Sequence, residues 1–221
     1  MDKVFNYYIE YLSIIRRATH YFEKDNFEES IDLYCDAEKY LDRVNMNNSG
    51  IIKLYVLMSK TYIELGNLDV ALIYLNKAKS VLDIGPSELR ISIDNNIAYT
   101  YLKKKKYNKS ETLYFDLLEE IESNPFGYNY HPLIYNNIGE LYFMRKLEVK
   151  SLSNYSRALF YFERSIIQKP LYYETLCDNI SLLFRNDIDE SKRWKWIRSN
   201  FIPTLKSGNN SKNIKRVKKN L

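Results

Sequence analysis

The sequence predicts an all-α fold, a right-handed superhelical solenoid of about five helical hairpins and about ten helices. Three observations predict it. Apolar residues recur at spacings of three and four, as in Val4, Tyr7, Tyr8, Tyr11, Leu12 and Ile15, then Phe27, Ile31, Tyr34, Leu41 and Val44, without sustained alternation. Six glycines and five prolines in 221 residues leave few breakers. A small residue with an aromatic one turn later recurs at intervals of 41, 39, 41 and 42: Ala18 and Tyr21, Ser59 and Tyr62, Ala98 and Tyr101, Gly139 and Tyr142, Ser181 and Phe184.

Each hairpin follows from the same pattern. Six residues after the first three tyrosines stands a bulky apolar residue (Phe27, Leu68, Tyr107), followed by a small one (Ser30, Ala71, Ser110) and then Tyr34, Leu75 and Tyr114. Ala37 and Ala78 continue it in two units, and Leu117 replaces them in the third. Small residues let two antiparallel helices cross closely while bulky ones reach the next hairpin. A single hairpin leaves an apolar face exposed, so the units must stack.

Punctuation divides the chain into units of roughly 5–45, 48–84, 86–124, 131–169 and 171–202, within a repeat domain over 1–205. Asn26 with Glu29 reads as a capping box at the second helix. Gly66-Asn67 is a tight turn, and Gly85-Pro86-Ser87 ends one helix and starts another. The clearest loop runs from Asn124 to Pro132, which suits a first helical turn. In the fourth unit the link from Tyr142 to Tyr155 is 13 residues, which implies a seven-residue insertion near Lys146–Leu152.

The chain carries 33 Lys and Arg against 28 Asp and Glu, a net charge of +5. Six of the basic residues and no acidic one lie in 206–221, which leaves 27 against 28 elsewhere, a net of −1. The basic excess is therefore a flexible tail on a nearly neutral repeat domain. That tail suits an acidic surface, nucleic acid held without sequence reading, or plain solubility. Cys35 and Cys177 stand 142 residues apart without ligand-spaced neighbours, so neither a disulfide framework nor a metal site is expected. No signal peptide and no apolar run long enough to span a bilayer is legible, so a soluble cytoplasmic protein with no membrane partner is expected.

With the match running from Tyr62 to Ala78 through Gly66-Asn67-Leu68 and Ala71, and with Ala158, Phe162 and Pro170 in the fourth unit, the chain resembles the tetratricopeptide repeat family. The resemblance covers roughly 5–202. It implies a binding scaffold whose first helices line a concave groove, and it says little about the partner. The family's period is about 34 and this one is about 40. That longer period, the composition and the asparagines also resemble the peptide-sensing C-terminal domains of quorum-sensing regulators of low-GC Gram-positive bacteria. Those regulators carry an N-terminal helix-turn-helix, for which the repeats here leave no room.

Within the groove the telling residues are Asn96, Asn137 and Asn179, spaced 41 and 42 apart, each two residues before its unit's small residue. Asn95 and Asn136 precede two of them. An Asn amide pairs with both the N–H and the C=O of an extended peptide, and the resemblance implies that role here. The same spacing also suits asparagines that bond neighbouring helices. Arg16, Lys60, Tyr99, Lys103, Glu140 and Arg185 join the face, a mixed set that suits a peptide with a free carboxylate or acidic residues. Ile15, Thr19 and Leu57 stand in the stretches where the chaperone-tail clamp of some such domains needs Lys and Asn, so clamp-type chaperone binding is not expected. Lys192–Arg198 mixes aromatics with cations, yet Trp194, Ile197 and Phe201 fall at helical spacing and fit a terminal cap.

No phosphate loop, HExxH, GxSxG or paired-carboxylate pattern is present, so neither catalysis nor a cofactor is expected. The expected function is noncatalytic: holding an extended peptide or protein segment, as scaffold or sensor. The alternative is the sensing or oligomerisation part of a transcription regulator, or a nucleic-acid-associated adaptor acting through the tail. Homo-oligomers and nucleic acid are the further partners considered.

Overall fold

In the computed structural model the apolar rows form eight α-helices among the described residues, which are 3–82, 88–122, 127–164, 175–176 and 178–180. They are α1 (Lys3–Glu23), α2 (Phe27–Glu38), α3 (Asn48–Glu64), α4 (Leu68–Ser80), α5 (Glu88–Lys103), α6 (Tyr107–Glu122), α7 (His131–Met144) and α8 (Glu148–Arg164). A single 3-10 turn, Gly127–Tyr130, leads into α7, and no described residue is in a strand. The remainder of the fifth hairpin with Ser181, Phe184 and Arg185, the aromatic cap, the Gly85–Ser87 boundary, residues 124–126 of the Asn124–Pro132 loop, Pro170, Cys177 and the tail lie outside the described residues.

The chain divides into two units, Met1–Ser110 and Glu111–Leu221. In the first, α1 packs on α2 and α3 on α4, and these hairpins stack through α2 on α3 and α4 on α5. Tyr34 is fully buried beside Ala18, Ala37, Leu54 and Met58, and Ile52, Val56, Leu75, Ala78 and Ile93 form the next layer. In the second unit α7 packs on α8 and the 3-10 turn packs on both.

The small residues act at the helix crossings. Ser30 Oγ donates to the Ala18 carbonyl at 2.9 Å, Ser110 Oγ to Ala98 at 2.8 Å and Ser151 Oγ to Gly139 at 2.7 Å, each buried. In the α3–α4 hairpin Ala71 takes the serine's place, and Ser59 bonds its own helix at the Val56 carbonyl instead. Ser151→Ala is expected to cost about 1 kcal/mol, the worth of one buried hydrogen bond, in urea unfolding followed by circular dichroism. An unchanged midpoint would mean that close packing alone holds the crossing.

The four turns between paired helices share one backbone pattern. The carbonyl of each repeat tyrosine accepts from the N–H five residues on: Tyr21 from Asn26 at 3.0 Å, Tyr62 from Asn67 at 2.8 Å, Tyr101 from Lys106 at 2.9 Å and Tyr142 from Leu147 at 2.8 Å. This is the Schellman closure, and it requires one left-handed residue. Those residues are Asp25, Gly66, Lys105 and Lys146, with φ of 60°, 77°, 58° and 59°. Glycine meets the requirement freely, whereas a side-chain residue there costs about 1–2 kcal/mol.

Two expectations are corrected by these turns. Asn26 forms no capping box: at φ −90° and ψ 74° its side chain makes no cap bond, and its N–H and C=O already serve Tyr21 and Ser30. Asn47, extended at φ −70° and ψ 160°, does cap α3, its Oδ1 accepting from Gly50 N at 2.8 Å. Nor is there an insertion in the fourth hairpin. Helix α8 starts at Glu148, six residues after Tyr142, as α2 starts at Phe27 six after Tyr21. Tyr155 follows Tyr142 by 13 residues, the same step as from Tyr21 to Tyr34. Glutamate in the place of the bulky apolar residue conceals that register in the sequence. Pro132 does sit in the first turn of α7, where its missing N–H costs nothing.

Candidate functional site

Two of the first helices, α5 and α7, carry an asparagine two residues ahead of the crossing, Asn96 before Ala98 and Asn137 before Gly139, whereas Arg16 and Leu57 hold that place in α1 and α3. On α5, Asn95 and Asn96 are both buried, as are Ile91, Ile93 and Ala98. Asn96 Nδ2 donates to its own helix at the Ser92 carbonyl at 2.7 Å, and Thr100 Oγ1 donates to the Asn96 carbonyl at 2.7 Å. Tyr99 is half-buried, with the Lys103 ammonium 4.9 Å from its ring centroid. Arg16 on α1 and Lys60 on α3 are exposed.

In the second unit three amides form one chain. Asn179 Nδ2 donates to Asn136 Oδ1 at 3.0 Å, and Asn136 Nδ2 reaches Asn137 Oδ1 at 3.4 Å. Asn137 is 6% exposed, while Asn136, Asn179 and Glu140 are half-buried. Asn136 thus joins Asn137 to Asn179, a role that spacing alone does not reveal. Arg185 lies outside the described residues.

Sequence reasoning missed two polar networks that brace successive hairpins. In the first unit Glu38 accepts from Tyr74 Oη at 3.1 Å and from Lys77 Nζ at 3.2 Å. Tyr62 stacks on Tyr74 at 5.5 Å, and Lys77 lies over the Tyr74 ring at 4.4 Å. In the second unit Glu111 accepts from Tyr142 Oη at 2.6 Å and from Arg145 Nη1 at 2.5 Å. A further stack places His131 4.3 Å from Tyr161 and Tyr135 5.4 Å from Tyr161. The heavy use of tyrosine was the available signal, but composition alone does not say which rings meet.

These networks shift proton affinities. Burial raises the Glu111 carboxyl, but the Tyr142 hydroxyl and the Arg145 guanidinium outweigh it and hold the group below the ordinary carboxylate range. Burial, then Cys35, pushes Tyr62 up to about 12, and burial, then the Glu111 bond, pushes Tyr142 up to about 12. Tyr74 is raised further by burial and Glu38. A tyrosine raised in the fold gives stability that is complete below the unfolded value of 10.0 and lost as pH rises through about 12. The thermal midpoint should therefore begin to fall above pH 10, and more gently in Tyr62→Phe/Tyr142→Phe. An identical alkaline slope in the double variant would contradict this assignment.

Among the described residues no three His, Cys, Asp or Glu side chains cluster to hold a metal, and no helix is long and apolar enough to cross a membrane. Close crossings at small residues, matching turns and stacked hairpins define a helical-hairpin repeat protein. The model of the tetratricopeptide repeat family matches residues 52–81, which take in most of α3 and all of α4. Tetratricopeptide repeats generally mediate protein–protein interactions. The fold is similar to the crystal structure of BtubC (BKLC) from P. vanneervenii, with a TM-score of 0.62 and 16% identity over 92% of this chain and 89% of that one. No curated protein matches the sequence.

Proposed function

We propose that the chain is a noncatalytic interaction scaffold that holds an extended peptide or protein segment against the first-helix faces of its units. Asn136, Asn137, Asn179 and Glu140 serve in the second unit, and Asn95, Asn96, Tyr99, Lys103, Arg16 and Lys60 in the first. The carrying observation is the amide chain from Asn179 through Asn136 to Asn137. Asparagine is a mediocre helix former, so three of them at one station need a reason. Their mutual bonds are what an incoming peptide can replace, because exchanging an amide–amide bond for an amide–backbone bond costs little net free energy. Backbone pairing of this kind grips without reading sequence, and leaves selectivity to Glu140 in one unit and to Lys103 and Tyr99 in the other.

The test begins with peptides selected by the full chain from a phage-displayed library, with affinity read by fluorescence anisotropy. Asn137→Ala/Asn179→Ala should weaken the best peptide about tenfold or more, two hydrogen bonds being worth about 1.4 kcal/mol or above, while the helical circular dichroism stays unchanged. Should the buried Asn137 prove necessary for folding, Asn179→Ala alone decides. Wild-type affinity in a folded variant would sink the reading.

A further inference from the structure

We propose that the α5–α6 turn of the first unit is a docking surface for an acidic protein segment, held by the ammonium groups of Lys105, Lys106 and Lys109. The four turns share one backbone closure but not one charge. Glu23-Lys24-Asp25-Asn26 and Glu64-Leu65-Gly66-Asn67 each carry a single net negative charge and Met144-Arg145-Lys146-Leu147 carries two positive ones, whereas Lys103-Lys104-Lys105-Lys106 carries four positive ones. Lys105 also takes the left-handed position that glycine fills in the α3–α4 turn, at φ 58°. Adjacent ammonium groups repel, and a side chain is strained at that φ, as Asp25 and Lys146 are in their turns.

Local contacts compensate part of this charge. Lys104, with its side chain 16% exposed, pairs with Asp69 and holds that carboxyl below the ordinary range. Lys105, Lys106 and Lys109 are exposed. Lys109 is anchored by a neutral partner: its Nζ lies 4.2 Å from the Tyr101 ring centroid and donates to Tyr101 Oη at 2.9 Å. A tyrosine fixes the ammonium without cancelling its charge. The turn is thus a set of oriented cations kept at an energetic cost.

The surrounding chemistry selects the partner. The cations are lysines, point charges suited to carboxylates, rather than the planar arginine forks favoured for phosphate and bases. Lys103 and Lys109 cover the rings of Tyr99 and Tyr101, which removes the stacking platform that single-stranded nucleic acid uses. Leu102 is buried, and no large apolar side chain from Tyr99 to Lys109 is exposed to enter a bilayer. An aspartate- or glutamate-rich segment satisfies all three observations. This surface stands apart from the asparagines, so its success or failure leaves the proposed function untouched.

The experiment titrates the full chain with fluorescein-labelled poly-Glu at low salt. Lys105→Gln/Lys106→Gln/Lys109→Gln should weaken binding about tenfold. The charge-keeping Lys105→Arg/Lys106→Arg/Lys109→Arg should hold it within about twofold. The tail variant Lys215→Gln/Lys218→Gln/Lys219→Gln should bind like the wild type. The proposal is overturned if the turn variant keeps wild-type affinity or if the tail variant takes the loss. It is equally overturned if a single-stranded oligonucleotide or phosphatidylserine vesicles use these lysines more tightly than poly-Glu does.

Discussion

Tyr34→Ala is expected to lower the unfolding free energy by about 3–5 kcal/mol, the usual cost of emptying a large buried aromatic site. The ring is 0% exposed and lies where α1 and α2 cross, packed with Ala18, Ala37, Leu54 and Met58, so the cavity has walls on three helices. Those walls cannot collapse without moving α3, which carries the next hairpin. Tyr34 Oη also lies 3.1 Å from Thr19 Oγ1, and Tyr34→Phe separates that bond, about 1 kcal/mol, from the packing. In urea titrations the alanine variant should unfold at a much lower midpoint than the phenylalanine variant. Equal midpoints would show that this ring does not hold the hairpins together.

Gly139→Ala should cost about 1–3 kcal/mol through overpacking, although only a methyl group is added to a helix. A Cβ at Gly139 would stand 2.4 Å from Cδ1 and Cε1 of Tyr155, well inside contact distance. The ring is 1% exposed and has no free volume to enter. The α3–α4 hairpin shows the compensation: its equivalent residues are Ser59 and Leu75, a larger small residue facing a smaller bulky one. Gly139→Ala/Tyr155→Leu should therefore be more stable than the sum of its single variants, a positive coupling in a double-mutant cycle. Strict additivity would place the strain elsewhere.

The repeat was legible because its carriers are side chains of unusual size at fixed spacing: Ala18, Ser59, Ala98 and Gly139, with Tyr21, Tyr62, Tyr101 and Tyr142. What those tyrosines also do, closing each turn through their carbonyls, was not legible, since any residue supplies a carbonyl. Asn26 misled for the same reason: the backbone had already taken the bonds its side chain was expected to make. Glu148 hid the fourth register because hydrophobicity was the guide and the position tolerates a charge at a helix start. At the candidate site the spacing identified Asn96, Asn137 and Asn179 but not the linking part of Asn136, which depends on side chains from two segments. The lysine turn is not legible in the sequence, since four cations in a row look like a solvated surface until their ring and carboxylate partners are known.

A peptide held by the asparagines requires side-chain amides that bind backbone. The most direct measurement is a nitrogen-15 correlation spectrum of the full chain, following the Asn136, Asn137 and Asn179 side-chain NH2 signals as a selected peptide is added. These signals should shift in saturable fashion with the same dissociation constant as the anisotropy titration. Amide signals that stay in place while the peptide saturates the protein would contradict this mode of binding.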